Sequence, residues 1–276
     1  MTASAPIALL ISDIDGTLVT DDKILTPRSV QAAATLARAG VGFTLISSRP
    51  PRGMAALVKA LGVSLPFAAY NGAALVAADG RPIVVHALAP SIARETLTLL
   101  AQGGVDAWVF AGDDWLLLST ATVNVERERR TVGFDPTVVA SFDTVAAPIG
   151  KIVGVSADPA RLDACEANIR AALGVRAAIN RSQSYYLDIS DPHATKGQAV
   201  ASLCELIGAP LSRTAVMGDM FNDVSMFEVA GLAIAMGQAP DAVKGRAAFV
   251  TASNAKDGFA AAVETVILPR AATAAR

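Results

Sequence analysis

Short apolar runs alternate with longer, alanine-rich amphipathic stretches along much of the chain, which predicts strands followed by helices. Ile7–Ser12 is a continuous apolar run that ends in acid, as expected of a buried central strand. A helix is predicted from Pro27 to Ala39, because proline favours the first helical position and Gly40 follows the last. The alternation returns from Thr195 onward. We therefore predict an α/β fold with a Rossmann-like, doubly wound parallel sheet.

The pattern changes between residues 87 and 188, where shorter elements and tight turns replace the alternation. The elements predicted there are Pro90–Ala101, Asp106–Ala111, Trp115–Ser119, Ile149–Ser156, Pro159–Leu173 and Ser184–Ile189. The mixed-charge segment Asn124–Arg130 is typical of a solvated helix. These features predict an α+β domain at 87–188, inserted into a discontinuous core domain formed by 1–86 and 189–276.

Composition excludes several classes of protein. The chain has 276 residues, of which 53% are hydrophobic, and its formal net charge is −2, so intrinsic disorder is not expected. The near-neutral balance argues against a nucleic-acid partner, and the segment 87–188 holds 12 acidic against 9 basic residues. No apolar run approaches the roughly 18–20 residues of a membrane helix, so no membrane partner is expected.

Cysteine usage and the N-terminal sequence indicate a compartment. Cys165 and Cys204 are too few and too far apart for a disulfide framework or a zinc site. The segment from Met1 to Ile11 lacks the basic start of a signal peptide. We therefore expect a soluble protein of the cytoplasm, whose oligomeric state stays open between a monomer and a weak dimer.

Polar residues follow four of the predicted core strands at the point where each strand ends. These residues are Asp13 and Asp15 after the first strand, Ser47 and Arg49 after the second, Asn71 after the third, and Asp219, Asn222 and Asp223 after Thr214–Met217. Ligands of doubly wound sheets bind outside the carboxyl ends of the strands. The sequence therefore predicts one site at this rim.

The types of residue in this set point to a metal and a phosphate. Several carboxylates at one end of a sheet repel one another and raise each other's pKa. A hard cation removes that penalty, and Mg²⁺ prefers a few carboxylates together with waters and phosphate. Lys196 follows Thr195, an N-cap residue, at a helix start where the dipole disfavours a cation, so anion binding explains it better. A carboxylate can also be the nucleophile in aspartyl-phosphate chemistry.

Each residue also has a purely structural interpretation. Acids after strands commonly cap the next helix, and serine after a strand is ordinary loop chemistry. Arg49 could form a surface ion pair, and Asn71-Gly72 is more typical of a hairpin turn than of a ligand. These interpretations suffice for single residues but explain the convergence of the whole set poorly.

As an ordered set, these residues resemble the four motifs of the haloacid dehalogenase superfamily. The matching segments are Asp13-Ile14-Asp15-Gly16-Thr17, Ser47, Lys196 and Gly218-Asp219 with Asn222-Asp223. The position of the insert resembles, more narrowly, the Cof-type phosphatases of subclass IIB, whose α+β cap lies between the second and third motifs. The resemblance implies a Mg²⁺-dependent phosphatase that acts on small phosphorylated metabolites, such as sugar phosphates or phosphorylated cofactors.

The resemblance also implies the catalytic roles. Asp13 would attack phosphorus and form an aspartyl-phosphate. Asp15 would protonate the leaving oxygen and then deprotonate the attacking water. Ser47 and Lys196 would hold the phosphoryl oxygens, and Arg49 would also contact the phosphate.

The remaining residues would bind the metal or lie beside the substrate. Mg²⁺ would be held by Asp13, the backbone carbonyl of Asp15, and Asp219. Asp223 would orient Lys196 or support the metal. Asn71 and Asn222 would lie close to the substrate.

Two positions depart from the family pattern, and two other functions share the motifs. Ser48 stands where the family usually has glycine, and Met220 where asparagine is common. A sugar phosphomutase would share the aspartyl-phosphate step, whereas a non-catalytic phosphometabolite sensor would lack a motif carboxylate, and none is missing. In the insert, aromatic residues are expected to pack the core, with Trp115 as the candidate for substrate recognition.

Overall fold

The computed structural model describes residues 6–271 of the chain, and strands of two main sheets dominate it. The strands are β1 Leu9–Ser12, β2 Gly42–Leu45, β3 Phe67–Ala69, β4 Ala74–Val76, β5 Pro82–Val85, β6 Asp106–Ala111, β7 Asp114–Leu117, β8 Thr137–Val138, β9 Ile149–Val155, β10 Ala178–Gln183, β11 Tyr186–Ser190, β12 Thr214–Gly218, β13 Leu232–Ala235 and β14 Phe249–Val250.

Helices cover the strands, and several begin where local sequence signals place them. The helices are α1 Pro27–Arg38, α2 Pro51–Ala60, α3 Pro90–Gln102, α4 Val125–Val132, α5 Pro159–Leu173, α6 Lys196–Ile207, α7 Val224–Val229, α8 Asp241–Lys244 and α9 Gly258–Ala262. Proline is the first residue of α1, α2, α3 and α5. Its missing N–H costs nothing there, because that position has no intrahelical acceptor. A π-helical turn at Val263–Ile267 continues α9, where a regular helix to Ile267 is predicted.

The core sheet is parallel throughout, in the order β14-β13-β12-β1-β2. Strand β1 lies inside the sheet between β12 and β2 and is buried at every position. The order starts at β1 and runs outward in both directions, which confirms the predicted doubly wound α/β fold. As a consequence, the residues that follow β1, β2 and β12 meet at one edge of the sheet.

The second sheet has the order β10-β11-β9-β6-β7-β8 and is antiparallel except for the β7–β8 pair. Strand β10 is not predicted by the sequence, since its alternating polar residues lack an apolar run. The prediction of a solvated helix at Asn124–Arg130 is wrong for one face of α4. Val125, Glu128 and Val132 on that face are buried.

Strands β3, β4 and β5 form a small antiparallel sheet beside the core. The turn between β3 and β4 contains Asn71 with a φ of 56°, a left-handed conformation that asparagine tolerates. The predicted turn at Asn71-Gly72 is therefore confirmed. Within residues 6–271, none of the helices has the length and apolar character needed to cross a membrane.

Candidate active site

A cavity of about 380 Å³ lies at the carboxyl edge of the core sheet, between the core and the second sheet. The structure brings seven of the residues singled out from the sequence to its lining, namely Asp13, Asp15, Arg49, Lys196, Asp219, Asn222 and Asp223. Ser47 and Asn71 do not line this cavity. Strand ends that are distant in sequence thus converge as the fold class requires.

A buried lysine joins two of the acids. The Lys196 ammonium donates to Asp13 Oδ1 and to Asp223 Oδ1, each at 2.5 Å, and Lys196 is only 2% exposed. Burial lowers the pKa of Lys196, but the two carboxylates outweigh it and raise that pKa above its usual value. Asp223 Oδ2 accepts hydrogen bonds from the backbone N–H groups of Asp219 and Met220, both at 2.8 Å. Asp223 therefore holds both the lysine and the loop that follows β12.

Three carboxylates form a set that could hold a cation. One oxygen each from Asp13, Asp219 and Asp223 lies within 4.8 Å of the others. Burial, opposed by Lys196 and assisted by Asp223, raises the pKa of Asp13 to about 7. Burial and the charges of Asp13 and Asp223 likewise raise the pKa of Asp219 well above its usual value. Hard oxygen donors and unrelieved negative charge fit Mg²⁺.

Asp15 occupies a different electrostatic environment from Asp13. Its carboxylate forms a bidentate pair with the Arg49 guanidinium, with both N···O distances 2.7 Å, and Lys23 Nζ lies 2.8 Å from Oδ1. Burial raises the pKa of Asp15, but Arg49 and Lys23 outweigh it and hold that pKa well below its usual range. The Asp15 carboxyl, which was predicted to donate a proton, is thus charged and paired with two cations in this conformation. Arg49, which was predicted to contact the phosphate, contacts Asp15 instead.

The two predicted residues outside the lining lie directly behind it. The Ser47 hydroxyl is fully buried and accepts a hydrogen bond from the Arg49 backbone N–H at 3.1 Å. Asn71 Oδ1 accepts from Asn222 Nδ2 at 3.0 Å, so the turn residue supports a residue of the cavity. Both positions stabilise loops of the site in this conformation.

Both departures from the family pattern leave the loops intact. Ser48 does not adopt a positive φ, so glycine is not needed there, and its carbonyl accepts from Lys151 Nζ at 3.0 Å. Met220 contacts Asp223 through its backbone: its N–H donates to Asp223 Oδ2 at 2.8 Å, and its carbonyl accepts from the Asp223 N–H at 2.9 Å. The geometry at these two positions therefore does not depend on the residue types of the family pattern.

Sequence reasoning missed several residues of the cavity. Lys23 lines the cavity and pairs with Asp15. The second sheet and α4 contribute Arg127, Glu128, Lys151, Tyr185 and Tyr186. No motif marks these positions, because only the packing of the second sheet over the core brings them to the cavity.

Trp115 does not line this cavity, so its selection for substrate recognition is wrong. Its side chain is 1% exposed and stacks on Phe110 with ring centroids 6.1 Å apart and an interplanar angle of 6°. Trp108 packs against it edge-on at 5.1 Å. The core-packing role expected of the aromatic residues is confirmed at this position.

Gly16 offers a test of the metal set. Its φ is +84°, and a Cβ there would lie 2.2 Å from Asp219 Oδ2. We expect Gly16→Ala to displace the Asp219 carboxylate and to weaken Mg²⁺ binding by about 10–100-fold, as measured by calorimetric titration.

Gly80→Ala is the matched control, because Gly80 has a φ of +89° and no atom within 4 Å of the added Cβ. It carries the same backbone strain without the clash. Equal Mg²⁺ affinity in the two variants would show that Asp219 does not bind the metal.

Comparison with known proteins agrees with this geometry. The model of the haloacid dehalogenase-like hydrolase family matches residues 10–263. A relative from Haemophilus influenzae that carries a phosphatase name is 30% identical over 258 residues, which cover 92% of this chain and 96% of the relative. The pyridoxal phosphate phosphatase YbhA of Escherichia coli is 28% identical over 259 residues, covering 90% and 94% of the two chains.

A solved structure shares the whole fold. It is that of a subclass IIB sugar phosphatase of the haloacid dehalogenase superfamily, with a TM-score of 0.84 and 20% identity, covering 95% of this chain and 99% of that one. At that identity the likeness concerns the fold alone, cap included. The family match extends across both strand groups of the core and the inserted sheet. The chain is therefore a hydrolase that belongs to the haloacid dehalogenase-like family.

Proposed function

We propose that the protein is a Mg²⁺-dependent phosphoric monoester hydrolase that acts on small phosphorylated metabolites. The observation that carries this proposal is the buried contact between the Asp13 carboxylate and the Lys196 ammonium at the lining of the cavity. It puts a nucleophilic oxygen beside a fixed positive charge, as an attack on an anionic phosphoryl group requires. The phosphatase names of the relatives support the same reaction class.

In the proposed first step, an Asp13 carboxylate oxygen forms a bond to phosphorus while the bond to the leaving oxygen breaks. The leaving oxygen takes a proton from Asp15. In the second step, water attacks phosphorus, gives its proton back to Asp15, and the bond to Asp13 breaks to release phosphate. Lys196 stabilises the phosphoryl oxygens in both steps. Bound Mg²⁺, held by Asp13, Asp219 and the Asp15 carbonyl, would neutralise charge on the phosphoryl group.

The ion pair at Asp15 has a direct consequence for this mechanism. A carboxylate held by Arg49 and Lys23 cannot donate a proton. We propose that the entering phosphoryl group competes for both the Arg49 guanidinium and the Lys23 ammonium, and so releases Asp15 from its two cations. Burial then raises the pKa of Asp15, which takes up a proton from solvent and can pass it to the leaving oxygen. Arg49 would in this way take up the phosphate-binding role expected from the sequence.

The substrate class and the compartment are part of the same proposal. A cavity of about 380 Å³ is large enough for a metabolite rather than a macromolecule. The name of the Escherichia coli relative concerns a phosphorylated cofactor, and sugar phosphates are the other class we consider. Both cysteines are free and buried, which supports a cytoplasmic location.

Metal dependence gives the test. We expect chelation to abolish hydrolysis of p-nitrophenyl phosphate and added Mg²⁺ to restore it. Mg²⁺ should also raise the melting temperature more at pH 8 than at pH 6. Protons compete for Asp13, whose pKa burial raises to about 7. A carboxyl with a raised folded pKa also makes the metal-free protein less stable as pH rises from about 4 towards 7, and Mg²⁺ offsets that loss.

An Asp219→Asn variant and a salt control test whether the rise in melting temperature comes from Mg²⁺ bound at this site. The variant should show a smaller Mg²⁺-induced rise, whereas Na⁺ at equal ionic strength should produce none in the wild type. Full hydrolysis in the presence of a chelator would contradict the metal-dependent mechanism. Phosphate release from a sugar phosphate without an isomerised product would separate a phosphatase from a phosphomutase.

A further inference from the structure

One wall of the cavity comes from the inserted segment, and three of its polar side chains are buried. Glu128 of α4, Lys151 of β9 and Tyr186 of β11, here called the cap wall, all line the cavity that contains Asp13. Their exposed fractions are 8%, 5% and 7%. Polar groups buried this deeply normally have hydrogen-bond partners. A buried polar side chain of the cap wall that lacks a protein partner therefore indicates a binding position for a ligand.

Two members of the cap wall have unused hydrogen-bonding capacity. The Tyr186 hydroxyl is buried and faces the Glu128 carboxylate, and burial together with this carboxylate raises the pKa of Tyr186 above its usual value. No other group among residues 6–271 is a hydrogen-bond partner of this hydroxyl. In the same part of the chain, the Glu128 carboxylate forms no ion pair within 4 Å. Burial, opposed by Lys151 and Arg49 and assisted by Asp15 and Asp188, raises the pKa of Glu128 to about 6. A hydroxyl and a carboxylate thus remain available to a ligand.

The Lys151 ammonium already has partners within the protein. Its ammonium donates to the Ser48 carbonyl at 3.0 Å and lies 3.6 Å from Asp188 Oδ1. It also lies 4.9 Å from the centre of the Phe110 ring. Lys151 is thus paired with Asp188, whereas Glu128 is influenced by its charge without an ion pair. The surplus at the cap wall is negative, which favours a hydrogen-bond donor and opposes an anion.

The other cation of the inserted segment at this cavity lies in a different setting. Arg127 is exposed, donates to the Tyr185 hydroxyl at 3.0 Å, and its guanidinium lies 5.2 Å from the centre of that ring. Solvent screens its charge far more than that of a buried group. Arg127 is thus a second possible determinant of selectivity with the opposite preference, and the experiment must separate it from Glu128.

We propose that Glu128 and Tyr186 bind the leaving group of the substrate, selecting an uncharged, hydroxyl-bearing group over one that carries a second phosphate. Glu128 accepts hydrogen bonds from its hydroxyls, and the Tyr186 hydroxyl donates or accepts according to the ligand. This inference rests on the proposed phosphatase function and names the residues that set its substrate class. An anionic leaving group would face the Glu128 carboxylate, and the two buried cations that act on this carboxylate, Lys151 and Arg49, are already paired with Asp188 and Asp15.

Mannitol monophosphate and mannitol bisphosphate test the proposal, because they differ only by a second phosphate at the far end. We expect the wild type to have a higher kcat/KM for the monophosphate. Glu128→Gln keeps the shape and removes the charge, so the ratio of the two kcat/KM values should fall by about tenfold. Tyr186→Phe should lower kcat/KM for the monophosphate several-fold, mainly through KM.

Glu126→Gln is the matched control, because Glu126 lies on the same helix with a 66% exposed side chain and does not line the cavity. Its ratio should equal that of the wild type. A wild-type preference for the bisphosphate, or an unchanged ratio in Glu128→Gln, would overturn the proposal. So would a ratio that responds to Arg127→Gln instead. If the wild type hydrolyses neither ester nor p-nitrophenyl phosphate, the proposed function fails and the subsite fails with it.

Discussion

Replacing Asp13 with asparagine is expected to reduce turnover by about 10⁴-fold or more while the fold stays intact. An amide oxygen cannot form the aspartyl-phosphate, and the substitution also removes one charge from the metal set. The side chain keeps its size, and Lys196 retains Asp223 as a partner. Repulsion among the buried acids decreases, so the metal-free variant should melt at the wild-type temperature or above it.

Acid quenching gives the direct measurement. Wild-type enzyme mixed with phosphate-labelled substrate should retain label on the precipitated protein, and Asp13→Asn should retain none. Asp22→Asn serves as the control, because Asp22 is exposed and lies outside the cavity lining. Label in the Asp13 variant, or substantial residual turnover, would show that another group is the nucleophile.

Replacing Lys196 with methionine is expected to damage both catalysis and stability. The two carboxylates that Lys196 now joins would remain buried without a cation, at a cost of about 3–5 kcal/mol in the free energy of unfolding. Turnover should fall by about 10²–10³-fold, because the fixed positive charge on the phosphoryl group is lost. Mg²⁺ should recover part of the stability, since it neutralises the same acids.

Urea unfolding with and without Mg²⁺ measures this effect. Lys244→Met is a suitable comparison, since Lys244 pairs with the almost fully exposed Asp241, and a surface pair contributes little. Similar unfolding free energies for the two variants would mean that Lys196 does not hold the acidic set together. Loss of stability without loss of turnover would confine Lys196 to a structural role.

Many elements of the core and of the inserted segment were predictable because their signals are local. Proline at the first position of α1, α2, α3 and α5, together with apolar runs at the strands, follows from propensities that act over a few residues. Where the structure differs, a long-range contact prevailed. Strand β10 forms because it pairs with β11 through backbone hydrogen bonds. Helix α4 buries Glu128 because this residue shares a face with Val125 and Val132, which pack into the hydrophobic core.

The candidate site also has a part that the sequence predicts and a part that depends on long-range contacts. That Asp13 and Asp219 lie together follows from the order of strands in a doubly wound sheet, where strand ends form one edge. The Arg49 clamp on Asp15 does not follow, since the pairing of two loops depends on where their side chains point. Sequence alone could assign a role to Asp15 but not its charged, engaged state.

The motifs and the parallel core were thus contained in the linear sequence, because spacing and strand order act through the backbone, and the hydrolase chemistry was implied by the resemblance of these motifs to a known family. The cap wall was not. Glu128, Lys151 and Tyr186 come from three elements of the inserted segment. They line the same cavity as Asp13 because the second sheet packs over the core. Local pattern carries no information about such distant contacts, so it could not show that Glu128 and Tyr186, rather than Trp115, face the substrate.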